Sequence, residues 1–203
     1  ARTNAALVQR ASELLLGGHK LHFASTRAET KYSPRLPYKF DEIEDVYRLW
    51  CGQSPATLRT AWLRQFRSFA ELADYANPKD TGDETDASAG KGGDAELSAM
   101  VKLVTKHGHS TIALLKSIEA ASVDADHASW CLSSAHRSKG KEWDTITLAD
   151  DFLPLDNPIK LAELRKKMGR REFGEAVNLL YVAITRCRVS TTYPGTSAGY
   201  FTT

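Results

Sequence analysis

The chain has 203 residues, 42% of them hydrophobic, enough for one or two modest domains with an apolar core. Lys plus Arg number 27 against 25 Asp plus Glu, so a net charge of +2 creates no field that attracts nucleic acid by itself, and a DNA role has to rest on local residues. Cys51, Cys131 and Cys187 are far apart and form no C-x-x-C pair, which argues against a disulfide or zinc framework and makes each a small core residue in a reducing compartment, while no apolar run reaches the roughly 18 residues of a membrane span and no signal segment opens the chain.

In chain order, Ala1-Arg2-Thr3-Asn4-Ala5 leads into a helix over 5–16 with Leu7, Val8, Ala11, Leu14 and Leu15 on one face, which Gly17-Gly18 ends in a left-handed turn. An extended segment over 21–24 follows, and helix then strand is one unit of an α/β sheet. Residues 31–39 carry Lys31, Arg35 and Lys39 with Pro34 and Pro37 and read as a basic loop. A helix over 41–50 has Ile43, Val46, Tyr47 and Trp50 on one side, and Pro55 precedes a longer one over 58–76. On the latter, Trp62, Phe66 and Phe69 read as core, and Arg59, Arg64 and Arg67 as a solvated face. Residues 77–94 hold almost no apolar side chain to offset the entropy of ordering, and read as a mobile loop. Short helices over 96–106 and 110–121 precede short apolar strands over 128–133 and 145–149.

Two segments carry chemistry. In Ser133-Ser134-Ala135-His136-Arg137-Ser138-Lys139-Gly140-Lys141-Glu142-Trp143-Asp144 a strand ends at Ser133 or Ser134 and a loop follows, which is where α/β sheets place ligands. Gly140 permits a close backbone approach or a positive φ, and Glu142 is an acceptor suited to a ribose hydroxyl. In Asn178-Leu179-Leu180-Tyr181-Val182-Ala183-Ile184-Thr185-Arg186-Cys187-Arg188, helical spacing places Val177, Leu180, Tyr181 and Ile184 on one buried stripe. Arg186 falls roughly 200° further round at about 100° per residue, pointing away from it. A guanidinium at a helix end suits bidentate contact with phosphate; taken alone, it reads as an ordinary snorkelling arginine.

Together these segments resemble motifs V and VI of the UvrD/Rep/PcrA-type superfamily 1 DNA helicases, whose patterns read approximately T-x-H-x-x-K-G-L-E-[FW] and L-[LA]-Y-V-A-[IV]-T-R-[AC]. Ala1 to Ala5 is similar to a third, Y-R-[ST]-N-A, near the start of the second motor domain. The three occur in the family's order. The resemblance implies an α/β, RecA-like (P-loop NTPase-type) parallel-sheet domain, called 2A, made from 1–40 and 125–203. A mainly helical 2B-like insertion over 41–124, holding the 77–94 loop, interrupts it. The brevity of that insertion, with Thr145 to Phe152, looks more like the F-box DNA helicase branch.

Carried over residue by residue, the resemblance implies that Gly140 and Glu142 face the nucleotide, that Ser134 and His136 face the DNA backbone, and that Lys139 serves either phosphate or DNA. Arg2, Thr3 and Asn4 match the segment that touches single-stranded DNA, although Asn4 is equally an N-cap for the helix after it. Arg186 matches the arginine finger, which stabilises charge on the γ-phosphate during transfer. ATP and Mg²⁺ are then held mainly by a separate N-terminal motor domain of the same protein. The expected whole is a 3′-to-5′ helicase or translocase, intracellular, at the nucleoid in a bacterium or in the nucleus of a eukaryote, and this fragment alone is expected to be inactive. Two departures stand out: Lys141 replaces an apolar residue, and Ser134 stands where threonine is common.

Other features read as decoys. Thr145 to Asp151 mimics a Walker B strand without any G-x-x-x-x-G-K-[ST] loop, Gly90-Lys91-Gly92-Gly93 is followed by no Ser or Thr, and His107 and His109 have no further ligands nearby in sequence. The alternative to a motor half is a non-catalytic DNA-binding or protein-interaction module with a helicase-like fold.

Overall fold

The computed structural model of the protein describes residues 1–24, 38, 40–77, 95–193 and 201–202. The basic segment 31–39, apart from Tyr38, and the expected loop over 77–94, apart from Asn77, lie outside the described residues. The elements are α1 (Asn4–Leu16), β1 (Leu21–Phe23), α2 (Asp41–Trp50), α3 (Phe69–Ala76), α4 (Ala95–His107), α5 (Thr111–Ala120), β2 (Trp130–Leu132), β3 (Trp143–Thr147), α6 (Pro158–Lys167), α7 (Arg170–Ile184), β4 (Cys187–Thr192) and β5 (Phe201–Thr202). This is a mixed helix-and-strand fold with short parallel pairings. β1 runs parallel to β2 with Leu21 opposite Trp130, β3 runs parallel to β4 with Trp143 opposite Cys187, and β5 adds to β4 antiparallel. Among the described residues no helix is long and apolar enough to cross a membrane.

Two apolar clusters organise the molecule. The larger gathers Leu7, Val8 and Leu14 of α1, Leu21 and Phe23 of β1, Leu132 of β2, and buried residues of α2 to α5. The helices between β1 and β2 therefore share one core with α1 rather than forming their own. The smaller gathers Leu148, Phe152 and Leu153 after β3 with Ala176, Leu180 and Ala183 of α7 and Tyr193 after β4.

α1 starts at Thr3, whose hydroxyl accepts from the Ala6 amide at 3.1 Å, so threonine takes the cap that Asn4 was expected to offer as its structural role. No acid lies in its first turn, and the exposed amides are met from elsewhere in the chain. Asp151, just past β3, accepts from the amides of Arg2 at 2.8 Å and Thr3 at 2.6 Å and from the Thr3 hydroxyl at 3.0 Å. Glu96 of α4 accepts from the Asn4 amide at 2.9 and 3.0 Å. Both carboxylates sit at the positive end of the helix dipole. At the other end Gly18, at φ +74°, makes the expected left-handed stop.

Four expectations are corrected. The helix read over 58–76 is broken: the amide of Thr60 donates to buried Asp45 at 2.7 Å, a 3-10 turn spans Ala61–Gln65, and a new helix begins at Phe69. Ser68 accepts from the Glu71 amide at 3.3 Å while Glu71 reaches back to accept from the Arg67 amide at 2.6 Å, so a serine cap and a carboxylate on the residue before it start a new helix and outweigh the apolar periodicity. On α7 the buried stripe is Ala176, Leu180 and Ala183, which pack in one cluster with Leu148, Phe152 and Tyr193, while Val177 and Tyr181 are 42% and 69% exposed. Cys51 and Cys131 are exposed and Cys187 half-buried, so the thiols are not core residues. α6 was not expected; Asn157 caps it by accepting from Lys160 at 3.0 Å, with Pro158 in its first turn.

Replacing Asp151 with alanine removes three charge-assisted hydrogen bonds and the dipole partner of α1. The expected loss is about 2–3 kcal/mol of unfolding free energy in urea titration, with Asp151→Asn losing roughly half of that. An unchanged midpoint for both variants would show that the helix end is held by other groups.

Candidate functional site

The short connection from α7 to β4 determines where Arg186 lies. α7 ends at Ile184, Thr185 is its cap, and Arg186 is the last residue before β4. The amide of Trp143 donates to the Arg186 carbonyl at 2.9 Å, so the residue before β4 sits against the residue that starts β3. Glu142 is one residue upstream. The two chemistry-bearing segments, at positions 43 residues apart, are thus joined by a backbone hydrogen bond.

The Arg186 side chain, half-buried, folds back on its own helix: Nε donates to the Val182 carbonyl at 3.2 Å and a terminal nitrogen to the Thr185 hydroxyl at 3.1 Å. A cation at a helix C-terminus is favourable against the dipole, and here it shares the Val182 carbonyl with the Thr185 hydroxyl, which donates to it at 3.0 Å. Arg188 pairs with Asp144 at 2.7 Å on the exposed side.

The loop from 135 to 142 is built by short local bonds. The amides of Arg137 and Ser138 both donate to the Ser134 carbonyl at 3.0 Å, the buried Ser138 hydroxyl donates to the Ala135 carbonyl at 2.7 Å, and the Lys141 amide donates to the Ser138 carbonyl at 3.0 Å. Gly140 follows at φ +80°, and a Cβ there would meet nothing within 4 Å. Glycine is required at 140 by backbone conformation and not by space. Lys139, Gly140 and Glu142 are exposed.

The remaining site residues lie where β2 and β3 end. The carbonyl of Ala1 accepts from the Ala135 amide at 2.9 Å, and Asp151 holds residues 2 and 3, so Arg2, Thr3, Asn4 and Ser134 are neighbours. Thr3 is buried with its hydroxyl committed to Asp151 and the helix cap, and Asn4 gives its amide to Glu96. Ser134 is buried, its amide donating to the Tyr38 hydroxyl at 3.0 Å, while the guanidinium of Arg137 lies 4.4 Å from the centre of the Tyr38 ring. His136 is exposed beside them.

The fold therefore sorts the candidates into two groups. Gly140, Glu142 and Arg186 lie at the start of β3 and β4; Arg2, Thr3, Asn4, Ser134 and His136 lie at the opposite ends of the strands; the loop holding Lys139 runs between them. A cleft of about 320 Å³ runs along β3 between these ends, lined by Arg186 and Trp143 at one and by Ala1, Ala135 and Ala149 at the other. Sequence reasoning missed Asp151, Glu96 and Tyr38 as the groups that hold the second set in place. Asp151 had been visible as an acid after an apolar strand, the same signal that made it a Walker B decoy. His107 lies 3.3 Å from the Gln9 amide oxygen and His109 packs edge-on against Trp50, and the described residues hold no group of three metal-ligating side chains.

Comparison with known proteins gives distant and partial likenesses. The chain is 39% identical over 57 residues to the F-box DNA helicase protein 1 of Schizosaccharomyces pombe, which is 28% of this chain and 6% of that protein. It is 25% identical over 162 residues to the F-box DNA helicase 1 of Gallus gallus, 72% of this chain and 14% of that protein. The chain thus spans at most about a seventh of the length of these relatives. No family profile matches it, and no solved structure matches it. What the likenesses support is a helicase-related region.

Gly140→Ala meets no clash and pays only for the left-handed backbone, so it lowers stability by about 1–2 kcal/mol in chemical denaturation, with Gly140→Asn smaller. Equal stability of the alanine variant would mean that the loop does not hold this conformation.

Proposed function

We propose that this chain is the second motor half of an ATP-dependent 3′-to-5′ DNA helicase or translocase. On this reading residues 1–40 and 125–203 form a RecA-like domain that carries the helical segment 41–124 on a core shared with α1 and β1. The observation that supports it best is the Trp143–Arg186 backbone bond, at 2.9 Å, which joins the backbone of one helicase-like motif at its arginine to that of the other one residue after Glu142. Distant similarity to two F-box DNA helicases points the same way.

The residues at that end of β3 fit part of a nucleotide. Gly140, at φ +80° with open space around it, lets a ligand approach the backbone; Glu142 is an exposed acceptor for a sugar hydroxyl; Arg186 offers a planar cation for phosphate. ATP with Mg²⁺ supplies the phosphoryl group and would be held mainly by a separate motor domain. Arg186 stabilises the negative charge that spreads over the phosphoryl oxygens, an effect worth roughly 10³ to 10⁵ in rate. Single-stranded DNA runs past the opposite strand ends, where Arg2 and His136 present the accessible donors. Thr3 acts there through the backbone it holds, since its hydroxyl is committed to Asp151, and the backbone amides of Asn4 and Ser134 have partners within the fold.

A second reading, a non-catalytic module, draws on the fold-back of Arg186 onto Val182 and Thr185, which is sufficient by itself to give the arginine a structural role. The two are separated by Arg186→Ala and Arg186→Lys in the full-length protein. A finger role lowers DNA-stimulated ATP turnover by roughly 10³ or more in both variants while DNA affinity and melting temperature change little. A purely structural role lowers the melting temperature and leaves turnover per folded molecule as it was.

A further inference from the structure

The turn that carries His136 rests on a tyrosine. The amides of Arg137 and Ser138 close it on the Ser134 carbonyl at 3.0 Å, and the Ser134 amide donates to the Tyr38 hydroxyl at 3.0 Å. Tyr38 is 4% exposed and meets Phe23 of β1 edge to face at 5.8 Å, so its ring is fixed. The Arg137 guanidinium lies over that ring, 4.4 Å from its centre. The ring attracts the cation but offers no conventional hydrogen-bond acceptor, so that contact leaves the guanidinium's donors unused. Among the described residues they have no hydrogen-bond or ion-pair partner. Other half-buried arginines do: Arg10 pairs with Glu13 at 3.0 Å, Arg48 with Asp45 at 3.1 Å, and Arg186 donates to Val182 and Thr185. Arg2 is the exception, half-buried and, like Arg137, without such a partner for its side chain among the described residues.

We infer that Arg137 is a phosphate contact for nucleic acid, held ready on the face of Tyr38 and presented by the same turn as His136. The inference rests on the proposed reading that single-stranded DNA passes these strand ends. It adds to that path a residue to which the motif resemblance gives no role, since 137 falls at an unspecified position of T-x-H-x-x-K-G. A half-buried guanidinium with open donors is well matched by a phosphodiester, because it is planar, permanently charged and able to give two parallel N–H bonds. Tyr38 is too buried to stack on a base, so the contact is with the backbone and carries no sequence preference. Tyr38 is instead a positioning residue: its hydroxyl fixes the turn at Ser134, 96 residues away, and its ring fixes the arginine. A long side chain ordered before the ligand arrives loses less rotamer freedom on binding.

The test is binding of the full-length protein to a labelled oligothymidylate, followed by fluorescence anisotropy over a range of potassium chloride concentrations, with melting temperatures measured in parallel. Arg137→Ala is expected to bind roughly tenfold more weakly and to lower the slope of log affinity against log salt by about 0.7, one phosphate contact on a single strand. Arg137→Lys keeps the slope, since the charge remains, and recovers only part of the affinity, since the paired N–H bonds are lost. Tyr38→Phe, which keeps the ring but releases the Ser134 amide, keeps the slope and weakens binding by a smaller factor. Wild-type affinity and slope in Arg137→Ala overturn the inference. A lowered melting temperature with unchanged affinity per folded molecule also overturns it, and makes the arginine a packing group on the ring. If Arg2→Ala weakens binding and Arg137→Ala does not, the DNA path stands without this residue; if the wild-type protein binds no DNA, both fall.

Discussion

The helix that opens the chain has no acid of its own in its first turn, and the molecule is arranged around supplying two from a distance. Asp151 arrives from the end of β3 and Glu96 from the start of α4, separated from the helix by 149 and 92 residues. A buried row of amides cannot be left unmet without losing energy comparable to a hydrogen bond for each. Meeting them this way fastens the smaller apolar cluster, which β3 belongs to, and the larger one, which α4 belongs to, onto the same short stretch of backbone. The positions of Arg2, Ser134 and His136 are consequences of that fastening.

The same junction explains why one segment looked like a binding motif and behaves as a structural one. An arginine, a threonine and an asparagine in a row present donors, and donors at a helix start attract anions. Here the anions are side chains of the protein itself, so the backbone donors of residues 2 to 4 and the Thr3 hydroxyl are occupied, which leaves the side chains of Arg2 and Asn4 as the donors this segment can offer. A DNA phosphate at this place would meet a cation on a braced support rather than a row of open amides.

Much of the helical architecture was legible because apolar periodicity and glycine punctuation agree with the final packing: α1, α2, α4 and α5 fall within a residue or two of the sequence reading. Periodicity failed where a local polar bond or a small residue decided the outcome. Ser68 and Glu71 interrupt an otherwise good helical pattern, and alanines at 176 and 183 turn α7 by about one position relative to the stripe that its larger residues draw. The loop from 135 to 142 was legible as a loop with a special glycine. Its bracing by Tyr38 was not, since nothing in a sequence links residue 38 to residue 134. The exposed Tyr181 and Val177 are the cost of reading size as burial.

The fold-back of Arg186 sets a threshold for anything that would recruit it. Its guanidinium already donates to a carbonyl and a hydroxyl, both neutral, and both belong to the helix that carries it. A phosphate would add attraction between full opposite charges to the guanidinium's hydrogen bonds, so on the proposed reading it would compete with these neutral partners where water would not. On the proposed reading the arginine is a stored side chain with a release condition, and the helix end it leaves behind keeps the Thr185 hydroxyl as donor to the Val182 carbonyl.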